Sequence, residues 1–297
     1  MLANALLFPE IIVKLNRNCA EFSRYKRSGL WLRENQPAFA RSPTSEFPTM
    51  ITLYDIAAKD QIKGWAPNPW KARYVLNLKK LPYRTVFVDF EDVDRVVREA
   101  GIPPSRHNAD GKPVHTVPSI IDDATGAAVT DSYKIAEYLD KQYPDTPKAF
   151  PAGTEALQGA FYRYYNDNIR EIALLLLPSV PNVLSKEASL EYFYRTRAAI
   201  FGKPVDQIRP VGEEEEKMWE KLHALFNSLD EWYAKSSGPF LVGDTPSFGD
   251  FTLAGMFKSM QVVCGVDNED WKELSTMNNG RWGKLMSDLE TYAIVEN

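Results

Sequence analysis

The chain has 297 residues, which is long for one hydrophobic core and favours two domains. Its 44% hydrophobic and 25% charged residues are typical of a globular protein, which we expect to be soluble and intracellular. A net charge of -5 argues against nucleic-acid binding through a basic surface. No apolar run approaches the roughly 20 residues that span a bilayer, so we expect no membrane partner.

Cysteine and histidine are too sparse to predict a disulfide framework or a metal site. The two cysteines are Cys19 and Cys264, and the three histidines are scattered along the chain. So few cysteines suit a reducing compartment, and the histidines lack the spacing of metal ligands. We therefore expect a cytoplasmic protein with no metal.

Residues 1–49 differ from the rest and are predicted to form an extension that is disordered or presequence-like. They carry seven lysine or arginine residues against four glutamates, whereas the remainder of the chain is acidic. Their short apolar stretch has no small-residue cleavage site, which fits a secretory signal poorly. Two alternatives stay open: an organelle presequence, which would make the location mitochondrial, or translation that starts at Met50.

Residues 50–145 are predicted to form a small sheet with helices packed on it. β-branched and aromatic runs at 51–55 and 84–90 predict two strands, and helical spacing separates them. Strand, helix and strand in this order imply a right-handed parallel crossover. A polar loop is predicted at 101–115, then a hairpin around an Asp-Ala-Thr-Gly turn, and last a helix at 131–144.

Residues 153–297 are predicted to form an all-helical second domain after a proline-rich linker. The predicted helices are 155–177, 185–201 and 213–236, with the first broken at Pro178 and Pro181, and a fourth helix is predicted within 243–263. In the last stretch, Ser247 and Asp250 are spaced as a capping box at a helix start. This helix is apolar on most faces, so we expect it to be central and to have a structural role.

The Val117–Pro118 bond precedes a predicted strand and is a candidate cis peptide. Cis bonds are inexpensive before proline and otherwise rare. A cis bond would turn the N–H and C=O of Val117 outward, where an extended peptide could pair with them as an added strand. The alternative, favoured by the low frequency of cis proline, is a trans proline that starts an edge strand.

Asp131 and Ser132 lie where a predicted helix begins, beside its free backbone N–H groups. Such a helix end binds a carboxylate, Ser132 can donate to it, and Asp131 can accept from an ammonium group. The pair would thus hold the head group of a zwitterionic α-amino acid. Either residue could also simply cap the helix, and the two roles are compatible.

Asn68 followed by Pro69 matches a helix N-cap with proline at the first helical position. Capping alone would explain both residues. A thiol held over this helix start would have its pKa lowered by the helix dipole, and the Asn68 amide could then donate to the thiolate.

Together, "TVPSI" and "TDSYKIAEYL" resemble the thioredoxin-like domain of cytosolic glutathione transferases, over about residues 50–297. "TPSFGD" and the helical second half resemble the C-terminal domain of that family. "APNPWKARYVLNLKKLPY" with "HTVPSIID" is most similar to the fungal FuA-type transferases and the bacterial β-etherase relatives. The resemblance implies an α/β plus all-α fold, with a thioredoxin-like domain at 50–145 and a helical-bundle domain at 153–297.

The resemblance also implies roles for residues of the first domain. Val117 would pair through its backbone with the cysteinyl part of glutathione, Pro118 would be cis, and Asp131 with Ser132 would hold the γ-glutamyl head. Asn68 would face the thiol as the catalytic residue. His115 could reach the glycyl carboxylate, with a solvated loop histidine as the alternative.

One residue of the predicted site departs from the family pattern. Ala66 stands where relatives commonly carry serine, which puts ordinary conjugating activity in doubt.

For the second substrate, the resemblance suggests an aromatic-lined cleft that would bind planar phenolics, although core packing would explain most of these rings. The candidate lining residues are Trp65, Trp70, Tyr162 and Tyr165.

The function implied is a glutathione-dependent transferase acting on hydrophobic aromatic compounds by conjugation, aryl-ether cleavage or peroxide reduction. Its partners would be glutathione as co-substrate, a small aromatic compound and a second copy of the chain in a homodimer. One alternative is a protein that binds glutathione and phenolic ligands with little turnover, which Ala66 favours. The other is a regulatory scaffold on the same fold.

Overall fold

A computed structural model describes residues 50–59 and 61–295, so the predicted extension at 1–49 lies outside the described residues. The elements of the first domain run along the chain as β1 (Ile51–Ile56), α1 (Pro67–Leu78), β2 (Tyr83–Val88), α2 (Val93–Glu99), β3 (Arg106–His107), β4 (Pro113–Val114), β5 (Ser119–Asp122), β6 (Ala127–Thr130) and α3 (Ser132–Gln142). This is the predicted thioredoxin-like arrangement.

The main sheet has the strand order β2-β1-β5-β6. β1 pairs with β2 in parallel, with Ile51 opposite Tyr83, and this confirms the predicted crossover through α1. β5 and β6 pair antiparallel as the predicted hairpin, and β5 is antiparallel to β1. The sheet therefore places the end of the 113–118 segment beside the start of α3.

Parts of the first domain lie where the sequence pattern predicted otherwise or gave no prediction. The second strand ends at Val88, two residues earlier than predicted, and a 3-10 turn leads into α2. This helix buries Val93 and Val97 on one face, while ion pairs such as Arg98–Asp94 support its exposed face. The predicted loop 101–115 contains the small β3–β4 hairpin, whose strands are too short for a sequence period to reveal.

The second domain is helical, and its described part also contains 3-10 turns and an isolated β-bridge between Phe240 and Gly243. Its helices are α4 (Glu155–Asn168), α5 (Arg170–Leu176), α6 (Glu187–Phe201), α7 (Glu213–Tyr233), α8 (Phe248–Cys264) and α9 (Glu269–Leu289). The helix predicted at 155–177 is divided at Ile169, and both prolines lie in a 3-10 turn that follows α5. None of the described helices has the length and hydropathy of a membrane-spanning segment.

Helix α8 is central, as its apolar sequence predicts, and the capping box at its start is confirmed. The Asp250 carboxylate accepts hydrogen bonds from the N–H and the hydroxyl of Ser247 at 2.8 and 2.7 Å. It also accepts from the Leu241 N–H and the Tyr233 hydroxyl. The carboxylate thus joins the start of α8 to α7 and to the segment between them.

The two domains meet where α8 crosses α1. A Cβ added to Gly255 would lie 2.7 Å from the carbonyl oxygen of Pro67, so the absence of a side chain permits this approach. The Ser259 hydroxyl donates to the Trp65 carbonyl at 2.5 Å. The helical domain therefore holds the segment just before α1 and the first turn of α1 in place.

A buried ion pair fixes α1 against the sheet. Nη2 of Arg73 lies 2.7 Å from Oδ2 of Asp55, and both side chains are fully buried. Burial raises the pKa of the Asp55 carboxyl, and the Arg73 guanidinium opposes this shift. Since breaking such a pair leaves an uncompensated buried charge, it constrains how α1 lies on β1.

Candidate functional site

Helix α1 begins one residue before Asn68, so the prediction that Asn68 is its N-cap is wrong. The N-cap is Ala66, which has no side-chain cap hydrogen bond, and Pro67 occupies the first helical position. Proline is favoured there because it lacks the N–H that would be left unpaired. Pro67 and Pro69 both satisfy that preference, and the fold selects the earlier one.

The first turn of α1 offers few donors to a ligand. Pro67 and Pro69 have no N–H, so the Asn68 N–H is the backbone donor left at the first three helical positions. Asn68 is 7% exposed, and its side-chain amide makes no hydrogen bond to another described residue. The backbone N–H and the side-chain amide of Asn68 are thus unpaired among the described residues, and both could donate to a ligand.

The segment before β5 has unpaired backbone groups beside the start of α3. The Val117–Pro118 bond is cis, as predicted. Among the described residues, neither the N–H nor the C=O of Val117 has a hydrogen-bond partner. The Asp131 N–H donates to the Pro118 carbonyl at 3.2 Å, which ties this segment to α3. The sequence-predicted residues Val117, Pro118 and Asp131 are therefore brought together.

Asp131 caps α3, as one of its two predicted roles requires. One carboxylate oxygen accepts from the backbone N–H groups of Tyr133 and Lys134 at 3.0 and 3.2 Å. The backbone φ of Asp131 is 80°, which is uncommon for a residue other than glycine. Ser132 is 3% exposed, and its hydroxyl makes no hydrogen bond to another described residue. The ligand-binding role of both residues stays a prediction.

His115 is held against α2 and is not the solvated loop histidine that the alternative describes. It is 7% exposed. Its Nδ1 lies 3.2 Å from Oδ1 of Asp94, and the same oxygen accepts its backbone N–H at 3.1 Å. An anionic ligand near this ring would meet the Asp94 carboxylate as well. The predicted contact with a glycyl carboxylate stays a prediction.

Three of the four aromatic residues predicted to line a substrate cleft lie inside the packed core. Trp65, Trp70 and Tyr165 are 3%, 1% and 2% exposed. The indole N–H of Trp65 donates to the Ala57 carbonyl at 3.1 Å, and that of Trp70 donates to the Gly64 carbonyl. Burial raises the pKa of Tyr165 well above its ordinary value. Such burial argues against these rings as walls of an open cleft, because core packing already covers them.

Tyr162 differs from those rings because it is only half-buried. It lies at the boundary between the domains, with ring centroids 5.2 Å from Tyr133 on α3 and 5.4 Å from Phe248 on α8. Tyr133 is also half-buried. Sequence reasoning missed Tyr133, although its place beside Asp131 and Ser132 could have indicated it.

Sequence reasoning also missed Lys71, a buried cation at this boundary. Lys71 is 3% exposed, and its ammonium group lies 5.1 Å from the centroid of the Tyr162 ring. Burial lowers the pKa of Lys71 to about 8, and the negative charge of Asp131 opposes this shift. The sequence carried no signal for its burial, because a lysine in a helix is usually solvated.

No cluster of His, Cys, Asp and Glu side chains among residues 50–59 and 61–295 has an arrangement that could hold a metal ion. Cys264, at the end of α8, is half-buried, and burial raises its pKa. The candidate site consists of the starts of α1 and α3, the Val117 backbone, which is unpaired among the described residues, and the residues around Tyr162.

Two family models match this chain. The glutathione S-transferase N-terminal domain matches residues 65–142, and the glutathione S-transferase C-terminal domain matches residues 156–292. Among curated proteins, the glutathione S-transferase-like protein ustS of Aspergillus flavus is 33% identical over 236 residues, which are 75% of this chain and 83% of the relative.

Solved structures agree with these matches. The glutathione S-transferase CsGST63524 of Ceriporiopsis subvermispora, in complex with glutathione, is 36% identical, with a TM-score of 0.77 over 83% of this chain and 99% of that one. Glutathione transferase GSTFuA3 of Phanerochaete chrysosporium is also 36% identical, with a TM-score of 0.77 over 83% of this chain and 98% of that one. The chain belongs to the glutathione S-transferase family.

Proposed function

We propose that this protein is a glutathione-dependent transferase that joins the glutathione thiol to hydrophobic aromatic electrophiles. Membership of the family supports a glutathione-dependent transferase. The relative from Ceriporiopsis subvermispora is described in complex with glutathione and is 36% identical to this chain. The aromatic substrate is the narrower part of the proposal, and it is argued from the residues below.

The observation that carries the proposal is the free backbone of Val117 beside the start of α3. An extended tripeptide can pair with the N–H and C=O of this residue as an added strand. Its γ-glutamyl end then reaches the start of α3, where the hydroxyl and the backbone N–H of Ser132 can bind a carboxylate. The Asp131 carboxylate can accept from the ammonium group of the same head.

In this arrangement the thiol lies over the start of α1. The N–H and the side-chain amide of Asn68 can donate to the thiolate, and the thiol proton goes to solvent. In conjugation or aryl-ether cleavage, the thiolate forms a bond to carbon and the leaving group departs with its electron pair. In peroxide reduction, the thiolate attacks one peroxide oxygen, the O–O bond breaks, and the alkoxide that leaves takes a proton from solvent. A second glutathione then converts the sulfenic acid to the disulfide and water.

Tyr162 and Tyr133 favour an aromatic second substrate. Both rings are half-buried at the boundary between the domains, so each has a covered and an open part. Aromatic rings prefer offset or edge-on contacts with other rings, which suits planar phenolic compounds. Trp65, Trp70 and Tyr165 contribute packing behind this boundary.

A second candidate function is favoured by Ala66. This N-cap residue has no side-chain hydrogen bond, so no hydroxyl at that position helps to stabilise a thiolate. The protein would then bind glutathione and phenolic ligands with little turnover. Both candidates share the same glutathione site and differ in the pKa of the bound thiol.

Isothermal titration with glutathione tests the proposal directly. We expect the wild-type protein to bind, and Asp131→Asn and Ser132→Ala each to weaken binding about 10- to 100-fold, because each loses a hydrogen bond to a charged group. Asp131→Asn is chosen because asparagine tolerates the positive φ and can still cap the helix. Ser287→Ala, at an exposed serine on α9, is the matched control.

No heat from wild type, or equal affinities in all four proteins, would contradict the proposal.

A homodimer is a separate proposal, which is based on the family resemblance. Light scattering on the purified protein measures it, and a monomer mass would contradict it without affecting the glutathione site.

A further inference from the structure

Lys71 presents a buried positive charge that no carboxylate of the described residues neutralises. Its side chain is packed between α1 and α8, where a Cβ on Gly255 would approach its Cγ to 3.2 Å. Its ammonium group lies over the Tyr162 ring at 5.1 Å and forms no ion pair with a described residue. Burying an isolated charge is costly, and packing alone does not offset that cost. The position of Lys71 therefore points to a ligand group that neutralises its ammonium.

The contacts of Lys71 direct it toward the start of α3. The Tyr162 ring beneath the ammonium packs against Tyr133, the second residue of α3. Asp131 is the charged group that acts on Lys71, yet the two form no direct ion pair. Asp131 already accepts two backbone N–H groups. An ammonium and a carboxylate therefore face one region without pairing with each other.

A zwitterionic head group complements that arrangement. Its carboxylate can pair with Lys71, and its ammonium can pair with Asp131. We propose that the ammonium group of Lys71 binds the α-carboxylate of the γ-glutamyl head, together with the donors of Ser132. This inference rests on the function proposed above and adds a binding residue that family motifs at the start of α3 do not contain.

The other ligand group with which Lys71 could pair is the thiolate of glutathione. Lys71 follows Asn68 by three residues and shares a face of α1 with it. Two features favour the carboxylate. Asp131, whose negative charge acts on Lys71, lies at the start of α3, where the proposal places the head group, and the Tyr162 ring under the ammonium packs against Tyr133 of the same helix. The experiment below separates the two pairings through the groups of the ligand.

The test compares wild type with Lys71→Met by isothermal titration with glutathione and two analogues. 4-Aminobutanoyl-cysteinylglycine lacks only the α-carboxylate, and glutaryl-cysteinylglycine lacks only the amino group. We expect Lys71→Met to weaken glutathione binding about 10- to 100-fold, as loss of a hydrogen-bonded charge pair does. The effect should persist with the glutaryl analogue and vanish with the 4-aminobutanoyl analogue.

Controls distinguish this inference from a general effect of charge and from a thiolate role. Lys134→Met removes an exposed lysine from the start of α3 and should leave binding unchanged. S-methylglutathione has no titratable thiol and should show the same loss in Lys71→Met as glutathione. A loss confined to ligands with a free thiol would overturn the carboxylate assignment.

The thermal stability of Lys71→Met should not fall along with its glutathione affinity. Replacing a buried unpaired charge by an apolar side chain of similar size is neutral or stabilising, so Lys71→Met should have a Tm equal to or above that of wild type. A merely structural lysine would show a lower Tm and unchanged binding. If Lys71→Met does not fold, Lys71→Gln repeats the titrations.

The pH dependence of unfolding checks that Lys71 is charged and buried in the free protein. Its pKa is about 8 in the folded chain and 10.5 in the unfolded chain, so between these values the unfolded state holds more protons. Stability should therefore rise with pH in this window in wild type relative to Lys71→Met. The ionisable groups around it are Asp131 and Tyr133 on α3 and Tyr162 on α4.

The outcomes separate the two proposals. If wild type fails to bind glutathione, the proposed function fails. If wild type binds and Lys71→Met binds equally well, only the role of Lys71 is overturned.

Discussion

Ala66 is the residue that bears most directly on whether the protein is an enzyme or a ligand-binding protein. It is the N-cap of α1, fully buried, with no side chain that could contact a thiol through a hydrogen bond. The N–H donors behind it are also reduced by Pro67 and Pro69. The thiolate would thus be stabilised mainly by Asn68.

Ala66→Ser should lower the pKa of the bound glutathione thiol. A hydrogen bond to a charged group contributes about 1.5–3 kcal/mol, which corresponds to roughly 1–2 pKa units. Ultraviolet absorbance of the thiolate during a pH titration measures the shift, and turnover of an aryl halide should increase in parallel. An unchanged thiol pKa with intact glutathione affinity would mean that the hydroxyl does not reach the sulfur.

Lys71 and Asn68 illustrate what residue patterns alone could predict. The sequence indicated Asp131 and Ser132 as candidates for binding a head group, because helix starts with Asp and Ser have known chemistry. It did not indicate Lys71, because a lysine in a helix is usually solvated and only the packing of Tyr162 and Gly255 around it shows that it is buried. The N-cap prediction at Asn68 was wrong for a related reason: two prolines offered two equally good helix starts.

At the scale of elements, α8 depends on a carboxylate that the sequence identified as a cap. Asp250 is fully buried and accepts four hydrogen bonds, from Ser247, Leu241 and Tyr233. Burial raises the pKa of this carboxyl, and these hydrogen bonds oppose the shift. The sequence predicted the bonds to Ser247, whereas the bonds to Leu241 and Tyr233 are long-range and have no sequence period.

Asp250→Ala should therefore destabilise the protein far more than loss of a cap alone. A lost N-cap costs about 1 kcal/mol, whereas several buried donors left unsatisfied cost roughly 3 kcal/mol or more. Urea unfolding measures the free energy difference. Asp206→Ala, at an exposed aspartate of the same domain, is the control and should differ little from wild type. A change of only 1 kcal/mol or so would show that the bonds to Leu241 and Tyr233 contribute little.

At the scale of the whole molecule, the contact between α1 and α8 links the stability of the helical domain to the geometry of the site. Gly255 allows the Pro67 carbonyl to approach within contact distance, and the Trp65 carbonyl accepts from Ser259. A change that shifts the start of α1 would also shift Asn68, which lies in its first turn, relative to the candidate residues Val117 and Ser132.

Gly255→Ala should weaken both folding and glutathione binding. The added methyl group would lie 2.7 Å from the Pro67 oxygen, and overpacking of this kind costs about 1–3 kcal/mol. Urea unfolding and isothermal titration with glutathione measure the two effects. Gly159→Ala is the control for stability, since its Cβ would meet only the Tyr133 hydroxyl, which is the movable tip of a side chain, at 3.2 Å. Unchanged stability and affinity in Gly255→Ala would mean that α1 and α8 adjust to the methyl group without moving the site.

The order of the main strands and of the helices up to α8, and the division into two domains, could be predicted from the sequence, because hydrophobic period, turn residues and helix caps are local properties. Helix α2, the β3–β4 hairpin and helix α9 had no sequence prediction. The same local chemistry indicated the starts of α1 and α3 as a ligand site. Only the tertiary structure decided which aromatic rings are covered, that Lys71 is a buried cation, and that His115 is held by Asp94. Those properties depend on which surfaces meet across the α1–α8 boundary and between α2 and the segment before β5, and contacts between residues distant in the chain leave no period in the sequence.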